Sequence, residues 1–284
     1  MSSWWLLVAL LPGALLVAGC VTYVVVSYTH LALVSRSAPP ARRLLRAAAV
    51  ELGTTLALLP LWPLWWLVGA TYETATEGDP PDPDQPRARR PIILLHGLAM
   101  NRTNWLWLGR RLARLGFGPL YGTSYFSPQS VERSARHLAR FIDRVLARER
   151  AAGRPADAVD IVAHSLGGLV ARWYIEREGG AARVGHLITI ATPHNGTLLA
   201  RLGLIPATRA LRPGANGAPR PTGDVRYASI WSRADSMVLP PESASVAPSG
   251  VDRAFDDLGH LSLLVSPRVL DAVVAELQNG TPRP

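Results

Sequence analysis

The chain has 284 residues, 48% of them apolar, which is enough for one or two domains with a sizeable core. Its formal charge is +9 and all 30 basic residues are Arg. Several of these fall on one solvated helix face (Arg133, Arg136, Arg140, Arg144, Arg148), and no aromatic-interleaved basic strip argues for nucleic acid. Cys20 is the only cysteine, which excludes an intrachain disulfide and a thiolate zinc cluster.

The N-terminal 70 residues read as a membrane hairpin. No Asp, Glu, Lys or Arg occurs from Met1 to Ser35, and a first span is expected over about residues 4–28. A second span is expected over about residues 47–70. Its Leu52–Ala70 portion is free of formal charge, follows Glu51 and contains Pro60 and Pro63. Trp4, Trp5, Trp62, Trp65 and Trp66 stand near the span ends, where amphipathic rings favour the interface. Arg36, Arg42, Arg43 and Arg46 lie between the runs. Short basic loops stay cytoplasmic, so the rest of the chain is expected outside the cytoplasm, at an inner membrane; Arg87, Arg89 and Arg90 weigh against this from about twenty residues beyond the second run. The competing reading is a signal peptide followed by a buried helix, but the charged start and short apolar core of a signal peptide are missing. Leu16-Val-Ala-Gly-Cys20 resembles a lipoprotein cleavage box, although no positive residue precedes it and the apolar run continues past Cys20.

Residues 71–90 are rich in Pro and acidic side chains and read as a linker, leaving a soluble domain over 91–284. Within it, strands are expected at Ile92–Leu95, Gly116–Phe126, Ala158–Val162, His186–Ala191 and Val225–Trp231. Helices are expected over 104–115, Gln129–Arg150, from Ser165 to about Glu178, and over Pro267–Leu277. Strands alternating with helices imply crossover connections and a largely parallel sheet with helices on both faces. Residues 197–223 form an insertion, apolar at its start and then rich in Pro, Gly and Ala, which reads as a short lid or as an ordinary cap.

Ala163-His-Ser165-Leu-Gly-Gly168 joins a strand directly to a helix, and such a turn with serine at its apex is a nucleophile elbow. Small residues are needed where strand and helix nearly touch, and Ala163 and Gly167 meet that need; Ala163 stands where the usual pattern has Gly. The competing reading makes Ser165 an ordinary helix cap. A serine nucleophile needs a histidine base held by a carboxylate, and in the fold that the elbow implies the chain order is Ser, acid, His. His260 is the only histidine after the candidate acids, so it is assigned as the base. Asp235, in the loop after strand Val225–Trp231, is assigned as the acid over Asp224, Asp252, Asp256 and Asp257. His164 adjoins the serine, with its ring expected to point away; His194, in Thr192-Pro-His-Asn-Gly196, is expected to be structural or substrate-facing. The oxyanion donors are assigned to the backbone N–H groups of Leu166 and of Leu98, which follows His96-Gly97 at the end of the first strand.

His96-Gly97, Ala163–Gly168, Thr192–Gly196, the Ser232–Pro240 loop and Leu258-Gly-His260 together resemble the bacterial triacylglycerol lipases and esterases of the α/β-hydrolase superfamily, over residues 91–277. The hairpin is not part of that pattern. The resemblance implies cleavage of carboxylic esters, of lipid or smaller molecules, through an acyl-serine intermediate. No cofactor is expected; Asp residues after position 250 could ligate calcium, as in some related lipases, but no ligand spacing supports a metal site. Two other readings are an acyltransferase or lipid-linked deacylase with the same triad, and a non-catalytic scaffold that keeps the fold.

Overall fold

The computed structural model describes residues 4–58, 71–72, 90–203, 205–217, 220 and 223–279. Its centre is a seven-stranded sheet of β1 (Thr71–Tyr72), β2 (Ile92–Leu95), β3 (Leu120–Thr123), β4 (Val159–His164), β5 (Val184–Ile190), β6 (Arg226–Ser232) and β7 (Val251–Phe255), ordered β1-β3-β2-β4-β5-β6-β7. All neighbours are parallel except β1, which pairs antiparallel with β3.

Strands β2, β3 and β4 are buried along their whole length, as expected for a sheet covered on both faces. Successive side chains alternate between two cores. Ile93, Leu95, Ile161 and Ala163 face α4 (Val131–Ala151) and α5 (Leu166–Arg177). Ile92, Leu94 and Val162 face α3 (Leu106–Arg114) and α7 (Pro267–Asn279). Every loop at the carboxyl ends of β2, β4, β5, β6 and β7 therefore opens on one edge of the sheet, where open α/β sheets place their ligands.

Two strands were not expected from sequence. β1 occupies the start of the expected linker, whose residues 73–89 lie outside those described. β7 reads Val-Asp-Arg-Ala-Phe and is a half-exposed edge strand with neither alternation nor an apolar run, so nothing in its composition marks it.

Of the expected pair of spans, one finds support among the described residues. Helix α1 (Trp4–Val34) is longer than anticipated, and its Leu11–Val34 portion is long and apolar enough to cross a bilayer. Helix α2 (Ala41–Leu58) is amphipathic instead: Arg42, Arg43 and Arg46 are exposed while Ala47 and Glu51 are buried. Among the described residues α1 is the only candidate span; residues 59–70 of the second expected span lie outside them. Val24, Tyr28 and Leu31 of α1 lie at helical spacing and pack with Ala47 of α2 against Ala234 and Leu239, in the loop after β6. Leu198 and Leu199, at the start of the 197–223 insertion, join the same cluster. Within that insertion are a 3-10 turn, Leu198–Leu202, and helix α6 (Pro206–Leu211).

Candidate active site

The β4–α5 turn is tight and held from several sides. Ser165 takes φ 52° and ψ −123°, a left-handed conformation that side chains other than glycine rarely adopt. Ser165 N–H donates to the Ile190 carbonyl at 2.9 Å, and its own carbonyl accepts from Thr192 Oγ1 at 2.9 Å. Gly167 runs against the neighbouring loop so closely that a Cβ there would stand 2.6 Å from the carbonyl oxygens of Leu95 and His96. Ser165 occupies the position before α5, yet its side chain makes no capping hydrogen bond. The hydroxyl is thus not spent on the helix, as the helix-cap reading requires, and the residue is only half-buried.

The structure brings the sequence-assigned acid and base together. Asp235 is 1% exposed and His260 7%, and His260 Nδ1–H donates to Asp235 at 2.9 Å to Oδ2 and 3.1 Å to Oδ1. A carboxylate only accepts, so Nδ1 carries the proton and Nε2 keeps its lone pair. Asp235 Oδ1 is itself oriented by N–H groups of Met237 at 2.8 Å and Val238 at 3.1 Å. Burial alone pulls the His260 pKa down; the charge and hydrogen bond of Asp235, then the charge of Glu51, outweigh it and leave the ring above its ordinary 6.5. Asp252, a rival for the acid, binds Ser245 and the Val246 N–H group instead, and Asp256 and Asp257 bind Arg side chains.

His164 is the contact between elbow and base. Its ring centroid lies 4.7 Å from that of His260, and its Nε2–H donates to the His260 carbonyl at 3.1 Å. Complete burial holds its pKa well below 6.5, which keeps the ring neutral. His194 is buried as well: its Nε2 meets Thr189 Oγ1 at 2.9 Å, and Arg172 donates to its carbonyl at 3.1 Å, which fits the structural one of the two roles expected for it.

The loop after β2 is shaped by His96. Burial pushes its pKa down to about 4, so it is neutral; Nδ1–H donates to the Gly97 carbonyl at 2.9 Å and Nε2 accepts from Tyr125 N–H at 3.2 Å. A Cβ on Gly97 would come 3.0 Å from Ser165 Cβ, so a side chain there would crowd the elbow. Ala99 N–H is taken by Ser127 Oγ at 2.8 Å. The N–H groups of Leu98 and Leu166, the two assigned oxyanion donors, find no acceptor among the described residues.

Beside this edge lies a hollow of about 290 Å³, lined by Thr55 and Leu58 of α2, by Ala99, Met100, Thr103 and Asn104 after β2, and by Leu261. Leu261 directly follows the candidate base. A larger hollow of about 520 Å³, lined by Asp143, Leu146, Arg150 and Arg183 among others, contains no nucleophile or histidine. Among the described residues no three His, Cys, Asp or Glu side chains are grouped to hold a metal ion.

One contributor escaped sequence reading. Glu51 of α2 is fully buried and accepts N–H groups from Leu261 and Ser262, next to His260. It lay inside an expected membrane span some 210 positions away, and no local pattern pointed to it.

A family model described as a PGAP1-like alpha/beta domain matches residues 121–202. Among solved structures, the mature form of the Bacillus licheniformis lipase BlEst2 superposes with a TM-score of 0.58 at 17% identity, over 70% of this chain and 96% of that one. Aspergillus fumigatus lipase B superposes with a TM-score of 0.54 at 17% identity, over 74% of this chain and 55% of that one. At such identities the likeness is one of fold. The chain has an α/β-hydrolase fold built on a parallel sheet.

Proposed function

We propose that this protein is a serine hydrolase that cleaves carboxylic esters, with Ser165 as nucleophile, His260 as general base and Asp235 as its acidic partner. The observation that carries the reading is the buried His260–Asp235 pair at 2.9 Å, in a loop whose imidazole packs against the residue beside the elbow serine. The protein–lipase likeness of fold is consistent with it and adds no specificity.

In this mechanism His260 Nε2 takes the Ser165 proton as Oγ attacks the ester carbonyl. The resulting oxyanion is held by the N–H groups of Leu98 and Leu166. The imidazolium, stabilised by Asp235, gives its proton to the departing alcohol, leaving an acyl group on Ser165. Water, deprotonated by the same imidazole, then attacks the acyl carbon; the proton returns to Oγ and the acid is released.

Two features of the surroundings support lipid esters as the substrate class. The hollow beside Leu261 is walled by Leu58, Ala99 and Met100 and suits an apolar acyl chain. Helix α1 presents exposed Leu11, Leu15, Leu16, Val17 and Val21, which supports its use as a membrane anchor with lipid esters as substrates. Arg36, and Arg42, Arg43 and Arg46 on α2, lie on the same side of α1 as the catalytic domain, so they do not support the extracytoplasmic placement expected from two spans.

The test is labelling by a fluorophosphonate probe. Wild type and Ser130→Ala, which removes a cap of α4, should label; Ser165→Ala should not. Equal labelling of Ser165→Ala would reject the assignment. An ester panel of rising acyl length, read above and below the micelle threshold, separates lipase from esterase by a jump in rate on aggregation.

A further inference from the structure

Helix α2 reaches the candidate base from the far end of the chain. Both carboxylate oxygens of Glu51 accept N–H groups from the two residues that follow His260: Leu261 at 2.8 Å and Ser262 at 2.9 Å. Just before His260 in the chain, Gly259 is pressed against the same group, since a Cβ there would meet Glu51 Oε2 and would stand 2.5 Å from Tyr28 Oη. The loop is thereby fixed from three directions: by Glu51, by Asp235 on the ring and by His164 on the His260 carbonyl.

A buried carboxylate is costly unless hydrogen bonds and opposite charge compensate it; burial raises the Glu51 pKa above its ordinary 4.5, against the Leu261 and Ser262 amides and the His260 charge, which lower it. No Arg pairs with Glu51 among the salt bridges of the described residues. Two amides compensate it at rest, and the imidazolium formed during the reaction adds to them. The titratable groups that face this cluster are Asp235 from the loop after β6, His164 from β4, and Tyr23 and Tyr28 from α1.

We propose that Glu51 is a positioning residue for the general base: it clamps the His260 loop and places a second negative charge behind the imidazolium, so that the rate of ester cleavage depends on α2 being seated on the domain. This rests on the serine-hydrolase reading. It gives the N-terminal helices a part in catalysis beyond attachment.

The test compares the full-length wild type with Glu51→Gln, Glu51→Asp, Gly259→Ala and Ser165→Ala on one short-chain chromogenic ester, reading kcat, KM and the pH profile. Glu51→Gln keeps the shape, but its amide faces one of the two N–H donors. It should lose kcat on the order of 10- to 100-fold, the scale for a small misplacement of a catalytic group, with KM changed by less than about twofold. Its acid limb should also move to lower pH, because the Glu51 charge holds the His260 pKa up. Glu51→Asp, which restores the charge, should return the limb to its wild-type position. Gly259→Ala leaves Glu51 in place but displaces its carboxylate, and should likewise lower kcat. Wild-type kcat with an unmoved limb in Glu51→Gln overturns the proposal. If Glu51→Gln does not fold, wild-type kcat in Gly259→Ala overturns it instead. Activity surviving in Ser165→Ala brings down the hydrolase reading, and this proposal with it; an inactive Ser165→Ala beside a wild-type Glu51→Gln rejects the role of Glu51 alone.

Discussion

At Ser165 the backbone is strained so that one hydroxyl can be offered at the sheet edge. A non-glycine residue in such a conformation costs about 1–3 kcal/mol, and the Ile190 and Thr192 contacts hold it there. With the hydroxyl in the role proposed for it, Ser165→Ala should lower ester hydrolysis by roughly 10⁴- to 10⁶-fold, read as kcat/KM, while its melting temperature stays at or above wild type. Asp235→Asn should cost on the order of 10⁴-fold. An asparagine presents an N–H₂ group as readily as an oxygen to Nδ1 and no longer fixes the tautomer; full activity in that variant would reassign the acid. The pH dependence has a definite sign. Catalysis needs neutral His260, and its pKa lies above 6.5, so kcat/KM should fall as pH drops through a midpoint above 6.5. A profile flat from pH 5 to 8 would contradict this base.

At the scale of elements, helix α5 starts where it does because two glycines let it touch the loops beside it. Gly167→Ala gains helix propensity worth about 1 kcal/mol, yet the new methyl would stand 2.6 Å from two backbone carbonyls that cannot turn aside. Overpacking of this kind costs about 1–3 kcal/mol, so the steric effect should win. The expected outcome is a lower melting temperature and a weakened fluorophosphonate reaction; unchanged values in both would mean that the elbow relaxes more easily than its geometry implies. The same closeness explains Gly97, where a side chain would press on Ser165.

At the scale of the whole molecule, the N-terminal helices and the hydrolase domain share one apolar cluster. Removing residues 1–58 would expose Ala234 and Leu239, which pack on α1 and α2, and would leave the Leu261 and Ser262 N–H groups without Glu51. Such a truncated chain should melt several degrees lower than the full-length protein and hydrolyse esters poorly even in detergent. A truncation with wild-type melting and rate would mean that the helices are an anchor and nothing more.

What the sequence by itself determined is what local chemistry and chain order carry. A strand running into Ala-His-Ser-Leu-Gly-Gly can hardly turn otherwise, alternating strands and helices require crossovers, the order serine, acid, histidine singled out His260, and a place in the loop after a strand singled out Asp235, which the fold joins to His260 by a hydrogen bond. Tertiary structure alone decided the rest. Strand β7 has no pattern of its own and exists because β6 offers it an edge. Helix α2 looked like part of a membrane span because its later residues are apolar, but Ala47 and Glu51 face the domain, Arg43 pairs with Asp256, and Arg42 and Arg46 are exposed. His164 and Glu51 owe their places beside the base to contacts across 96 and 210 positions. Separations of that length leave no periodicity in a single chain; they become visible only when packing brings the distant segments to one edge of the sheet.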